Sequence, residues 1–188
     1  MCIICNRKYA RRRNIECDNC PFVTSIPNLR LKTLVCINCP LLTHISDLPE
    51  LTTLIIENCP LLAAIPILPE LTDLTIEIGT LLAAIPILPK LKRLTIKNCP
   101  LLAAIPVLPE LVELTVGNCP LLTAIPVLPE LIGLMVEYCP LLTAIPTLPE
   151  LKRLTIKNCF LLTGISVFPK LEGDMYKLPR FNNYSNHA

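Results

Sequence analysis

The sequence predicts a solenoid of short parallel β-strands, one strand per coil, with extended return limbs and no α-helix. Three observations carry that reading. The 188-residue chain repeats itself every 20 residues. Within each unit, apolar and polar residues alternate over a short stretch, as in a strand with one buried face. Twenty prolines, most at fixed places in the unit, forbid helix in the segments between.

Composition excludes the competing classes. A disordered chain needs low hydrophobicity and high net charge, whereas 52% of these residues are hydrophobic and the net charge is +2. Five glycines are far too few for collagen. Each interior proline costs a helix about 3 kcal/mol, so a helical bundle could not absorb this many. The longest stretch without a charge is Leu114 to Pro129, 16 residues carrying three prolines. A membrane-spanning helix needs roughly 20 apolar residues. A soluble chain of one or at most two domains is therefore expected, with no membrane partner. Five of the 17 basic residues (Arg7, Lys8, Arg11, Arg12, Arg13) lie within the first 13 positions, leaving 12 basic against 15 acidic residues in the body.

The period is set by Leu51, Leu71, Leu91, Leu111, Leu131, Leu151 and Leu171. Leu31 to Glu50 is another full unit, and Arg12 to Arg30 is a 19-residue unit without its leading leucine. Eight units thus span residues 12–170. Residues 1–11 form an N-terminal cap or basic arm, and 171–188 a C-terminal cap and tail. The unit resembles the leucine-rich repeat, whose pattern L-x-x-L-x-L-x-x-(N/C)-x-L marks a strand and its exit turn. Leu91, Leu94, Ile96, Cys99 and Leu101 fill every fixed position. The 20-residue length with I-P-x-L-P looks like the short repeats of bacterial effector proteins, and N-C-P-L-L resembles leucine-rich repeat proteins of giant DNA viruses. Bacterial effectors of this kind often add a catalytic domain; the array here is followed by about 17 residues, so no such activity is carried over.

Each element follows from the unit. Leu54 and Ile56 alternate with Thr53, Ile55 and Glu57, giving a strand. Cys59-Pro60 makes the turn. Pro66 and Pro69 fix φ and remove donors, giving an extended, polyproline-like or 3-10 return limb. Eight strands at about 4.8 Å make an arc on the order of 38 Å. With no helix on the convex side, shallow curvature is expected, with the strands on the concave face. One coil cannot bury its own leucines and must stack on neighbours. The arm is expected to cap the first coil, and Met175, Tyr176, Leu178 and Phe181 the last. Poorly capped ends would allow an end-to-end dimer in place of a monomer.

Eleven cysteines require an account. Residues 1–8 lack the apolar core of a signal peptide, so an intracellular, reducing compartment with free thiols is expected. Cys20, Cys39, Cys59, Cys99, Cys119, Cys139 and Cys159 share one repeat position, with Gly79 as the gap. They read as a column of small buried thiols; a redox or metal ladder is the alternative, weakened by the glycine. The preceding Asn58, Asn98, Asn118 and Asn158 should point the opposite way. Cys2, Cys5, Cys17 and Cys20 have the outline of a four-thiolate zinc site. However, Cys17 also falls on an inward strand position and Cys20 on the column, so packing is the expected role and no cofactor or metal is expected.

Variation between units is concentrated on outward strand positions. Lys92, Arg93 and Lys97 form one basic cluster, and Lys152, Arg153 and Lys157 an identical one three rungs away, on the order of 15 Å. Between them lie Val112, Ile132, Met135 and Tyr138 with Glu113 and Glu137. Glu57, Asp73 and Glu77 make an acidic strip on the other side. An apolar, aromatic-containing centre with charged flanks points to a protein partner on the concave face. A merely solvated face is the bland alternative. A structural or self-assembling solenoid, or a small zinc- or nucleic-acid-binding protein using the N-terminal Cys and Arg cluster, are the other classes; nucleic acid is not the expected partner. His44 and His187 are the only histidines, and no nucleotide loop, H-E-x-x-H or G-x-S-x-G occurs. No enzyme is expected. Glu50, Glu70, Glu110, Glu130 and Glu150 read as a solvated edge.

Overall fold

Successive residues of an extended chain face opposite sides, and this alternation places every strand. Leu54 and Ile56 are buried, while Thr53, Ile55 and Glu57 are partly exposed. The computed structural model describes residues 4–5, 12–166 and 168–172. Most of the basic arm, Cys2, His187 and the expected C-terminal cap (Met175, Tyr176, Leu178, Phe181) lie outside the described residues.

The strands are β1 (Asn14–Asp18), β2 (Ser25–Ile26), β3 (Thr33–Ile37), β4 (His44–Ile45), β5 (Thr53–Glu57) and β6 (Asp73–Glu77). They continue with β7 (Arg93–Lys97), β8 (Glu113–Gly117), β9 (Gly133–Glu137), β10 (Ala144–Ile145), β11 (Arg153–Lys157) and β12 (Gly164–Ile165). Eight of them form one parallel sheet in the order β1-β3-β5-β6-β7-β8-β9-β11. Register is strict: Leu34 pairs with Leu54, Leu54 with Leu74, and Leu74 with Leu94. The remaining strands lie on the return limbs and pair only as β2-β4 and β10-β12. Among the described residues there is no helix of any kind, so the return limb is extended rather than 3-10.

Two of the three prolines in a full unit have a more specific role than forbidding helix. The Leu62 N–H donates to the Cys59 carbonyl, and the Leu71 N–H to the Leu68 carbonyl, both at 3.2 Å. Pro60 and Pro69 therefore occupy the second position of a β-turn, where their fixed φ is already correct and no donor is needed. Where Thr80 and Phe160 replace that first proline, the turn persists, with Leu82 N–H donating to Gly79 and Leu162 N–H to Cys159 at 3.3 Å.

The core is one continuous apolar stack. In a full unit, seven positions point inward, exemplified by Leu91, Leu94, Ile96, Cys99, Leu102, Ile105 and Leu108, all buried. Among the described residues, no polar or charged side chain is buried.

Each strand of the eight-stranded sheet leaves through a residue with positive φ: Asn19, Asn38, Asn58, Ile78, Asn98, Asn118, Tyr138 and Asn158, all between 49° and 62°. Asparagine tolerates this left-handed conformation, and its amide can bond its own copy on the next coil. Asn58 Nδ2 donates to Asn38 Oδ1 at 2.8 Å, and Asn38 Nδ2 to Asn19 Oδ1 at 3.0 Å. Ile78 interrupts this ladder with a β-branched side chain at φ 62°, a strained combination costing on the order of 1–3 kcal/mol. Ile78→Asn should relieve the strain and join Asn58 to Asn98. The expected gain is about 1 kcal/mol in chemical denaturation; an unchanged or lowered stability would show that Ile78 packing outweighs its backbone strain.

Candidate functional site

Outward strand residues form a regular grid on the exposed face of the sheet. Columns run across the strands because every register step is 20 residues, apart from 19 at the first. All the residues of the expected site lie on this face: Lys92, Arg93 and Lys97 on or beside β7, Glu113 on β8, Ile132, Met135, Glu137 and Tyr138 on or beside β9, and Lys152, Arg153 and Lys157 on or beside β11.

The structure changes the electrostatic picture, because most of these charges are paired across neighbouring coils. Arg93 pairs with Asp73, and Lys97 Nζ with Glu77 Oε1 at 2.7 Å. Lys157 Nζ meets Glu137 Oε1 at 2.6 Å, which raises the Lys157 pKa. Lys152 lies 3.6 Å from Glu172. The basic clusters and the acidic strip are therefore rows of ion pairs instead of separate fields. Lys92 has no ion pair among the described residues. The glutamate edge is also not purely solvated: Glu50 lies near Arg13 and Lys32, and Glu70 bonds Lys90 at 2.7 Å. At exposed positions such pairs contribute only about 0–1 kcal/mol each, so their main effect here is to neutralise the face.

One pair is of a different kind. Arg153 on β11 reaches Glu113 on β8, passing over β9 between them. It can do so because the intervening position is Gly133. A Cβ added there would lie 2.0 Å from Glu113 Oε2, so a side chain at 133 would collide with the Glu113 carboxylate. The Glu113 carboxylate thus covers Gly133, which is buried, and a shallow hollow of about 260 Å³ lies beside the pair between β8, β9 and β11. Glu113, Arg153 and Met135 form its walls with Thr115 and Thr155, over Gly133 and the Leu114 and Leu134 segments. Met135 and Tyr138 are both exposed on this rung, Tyr138 at 56%. The sequence could have shown the pairing, since acids and bases recur 20 residues apart; the Gly133 gap gives no periodic signal.

The cysteine column is buried as expected. Cys39, Cys59, Cys99, Cys119, Cys139 and Cys159 are all 0% exposed and are free thiols. Their sulfurs bond neighbouring backbone carbonyls, as Cys59 Sγ does with Glu57 at 3.5 Å. Hydrogen bonding between thiols, followed by burial, raises the pKa of Cys36, Cys119 and Cys139, while the same bonds lower their partners Cys39, Cys99 and Cys159. Burial pushes Cys59 up to about 11.

At the N-terminal end, Cys5 and Cys20 bring their sulfurs within 3.3 Å. Cys17 faces elsewhere, 3.7 Å from the sulfur of Cys39, and Cys2 lies outside the described residues. No group of three or more His, Cys, Asp and Glu among the described residues is placed to hold a metal. In the same described residues, no helix is long and apolar enough to cross a membrane.

The parallel sheet, the 20-residue coils and the single apolar stack define the leucine-rich repeat fold. The leucine-rich repeat domain of the type III effector XopL is a solved structure similar to this chain, with a TM-score of 0.65 and 22% identity, covering 88% of this chain and 75% of that one. At that identity the likeness establishes the fold. No family model matches the chain, and no curated protein matches it.

The Cys59 shift has a consequence for stability. An unfolded thiol ionises near its ordinary value of 9.0, while the folded one stays neutral up to about 11. Folding stability is fully present below pH 9 and falls as pH rises towards 11, because the unfolded chain loses the proton first. The slope attributable to one such thiol is about 1.4 kcal/mol per pH unit. Urea unfolding between pH 7 and 10.5 should show a decline above pH 9 that is shallower in Cys59→Ala. Equal slopes would remove burial of this thiol as a cause.

Proposed function

We propose that the chain is a non-catalytic interaction module that binds a partner protein through the exposed, concave face of its sheet. The observation that carries this reading is where the repeat varies. Apart from Gly79, inward columns are held to Leu, Ile, Val and Cys from β5 to β11, whereas outward columns change in charge and polarity along the array. Packing explains the first; a solvated surface alone gives no reason for the apolar, exposed Met135 and Tyr138 among neutralised charges. Aromatic and methionine side chains in a partly polar frame are typical of interface centres. The solved domain of the same fold comes from an effector, which makes a binding role for this solenoid the natural comparison. Free, buried thiols fit an intracellular, reducing compartment.

A photoreactive benzoylphenylalanine placed at Thr95, on the exposed sheet face, should capture a discrete partner in cells expressing the chain. The same group at Val107, on the opposite return limb, should not. Equal capture from both faces, or capture from Val107 alone, would overturn the assignment of the face.

A further inference from the structure

A second surface of the solenoid has no task if the partner lies on the sheet. It is formed by the return limbs, away from the sheet, and it is almost wholly apolar. The limbs Pro60 to Pro69, Thr80 to Pro89, Pro100 to Pro109 and Pro120 to Pro129 carry no charge. Ile67, Ile87, Val107 and Val127 stand on successive coils and are 55–67% exposed, so they form a ridge. Beside it, the exposed and smaller Ala64, Ala84, Ala104 and Ala124 make a trough. Leu61, Leu81, Leu101 and Leu121, 41–44% exposed, close the trough on its far side. The charges of Glu70, Lys90, Glu110 and Glu130 lie at the corner where each limb turns back towards the sheet, as a polar rim.

Four coils at about 4.8 Å, each contributing some nine extended residues, give this patch on the order of 500 Å². Apolar patches of that size on a single chain are commonly functional. This one fits a copy of itself. A two-fold rotation about an axis along the solenoid, between ridge and trough, lays the ridge of each copy in the trough of the other. Each rung stays level with its own counterpart, so the shared spacing lets all four interdigitate at once. Together the two faces bury about 1,000 Å², the size at which specific interfaces begin. No like charges meet within the patch, because it has none.

The preceding coil supports the same pairing. There the ridge position is Asp47 and the trough position His44, both exposed. Three residues along an extended limb separate them by about 10 Å, too far to bond within one chain. The rotation that seats Ile67 over Ala64 brings Asp47 onto His44 of the second copy, where the imidazole N–H can donate to the carboxylate. Ridge and trough thus change together along the array: branched apolar with alanine, acid with histidine.

We propose that the return-limb face is a homodimer interface, in which the Ile67 to Val127 ridge of each copy fills the Ala64 to Ala124 trough of the other. Such a dimer leaves both sheets facing outward.

Sedimentation equilibrium of the purified chain should give twice the chain mass at about 100 μM. Ile87→Glu combined with Val107→Glu, at positions outside the core, should retain the parent's circular dichroism and weaken the dimer at least tenfold. Asp47→Lys should also weaken it, and adding His44→Glu should restore it, since the reversed charges meet only between copies. Benzoylphenylalanine at Val107 should crosslink the purified chain to itself, and the same group at Thr95 should not. A monomer at the stated concentration, or a dimer that the double glutamate variant leaves intact, would overturn the interface. Absence of rescue by His44→Glu would overturn the pairing of ridge with trough. Self-capture at Val107, recognised by its doubled mass, leaves the sheet-face reading untouched. Capture there of a different protein in place of the second copy would count against both.

Discussion

Strict parallel register is the constraint on which the rest of this protein depends. Because each coil repeats the last with a shift of 20 residues, nearly every side chain lies beside its own counterpart, one strand spacing of about 4.8 Å away. A column must therefore be compatible with itself. Leucine and isoleucine are, since stacking buries them. Asparagine is, because its amide carries both donor and acceptor, as the Asn19-Asn38-Asn58 ladder shows. Cysteine is small and can both give and accept weak hydrogen bonds. A column of like charges is less so, and several outward neighbours alternate in sign, as Glu77 with Lys97 and Glu137 with Lys157 do, although Glu57 and Glu77 stand side by side.

The same constraint explains why so much proline is harmless. Proline removes a donor, which would be costly in a ladder that pairs every backbone group. Here the strands contain none. Pro60 and Pro69 sit in turns at the position where a proline fits best, and the limbs between them pair only through short two-residue contacts. Backbone pairing is concentrated in the sheet, and the return limb contributes leucines to the core without competing for hydrogen bonds. Pro-rich limbs also limit the conformations open to the unfolded chain, which favours the folded coil.

The fold was almost wholly legible in the sequence, because period, alternation and proline placement all report the same coil. Leu91, Leu94 and Ile96 could be assigned inward from spacing alone, and the structure buries them. The left-handed φ of the asparagines was less visible, although Asn at every strand exit is a usable signal for it. The outward strand residues were legible as a face but not as a shape. Spacing put Lys97 in a basic cluster and Glu77 in an acidic strip; it did not say that the two would cancel each other. Still less could it show Glu113 reaching Arg153 across two rungs, because that contact depends on the absence of a side chain at Gly133 and on how long side chains lie over a sheet.

In a chain built by repetition, departures from the unit carry the information, but not all departures carry the same kind. Ile78 and Gly79 replace asparagine and cysteine side by side. Gly79 has little room for a larger residue beside Cys99 and Ile76, so that change has a packing explanation confined to one turn. The changes at β9 have no such explanation, since Gly133, Met135 and Tyr138 all face outward from the sheet. On the proposed reading, their setting also limits how a partner is recognised. Long-range charge steering needs an unbalanced field, and the ion pairs of this face leave little of one. Association at ordinary, unsteered rates would then be followed by selection through shape, with discrimination residing in how long the partner stays. A grid of neutralised ion pairs is suited to that mode of recognition, and a row of uncompensated lysines would not be.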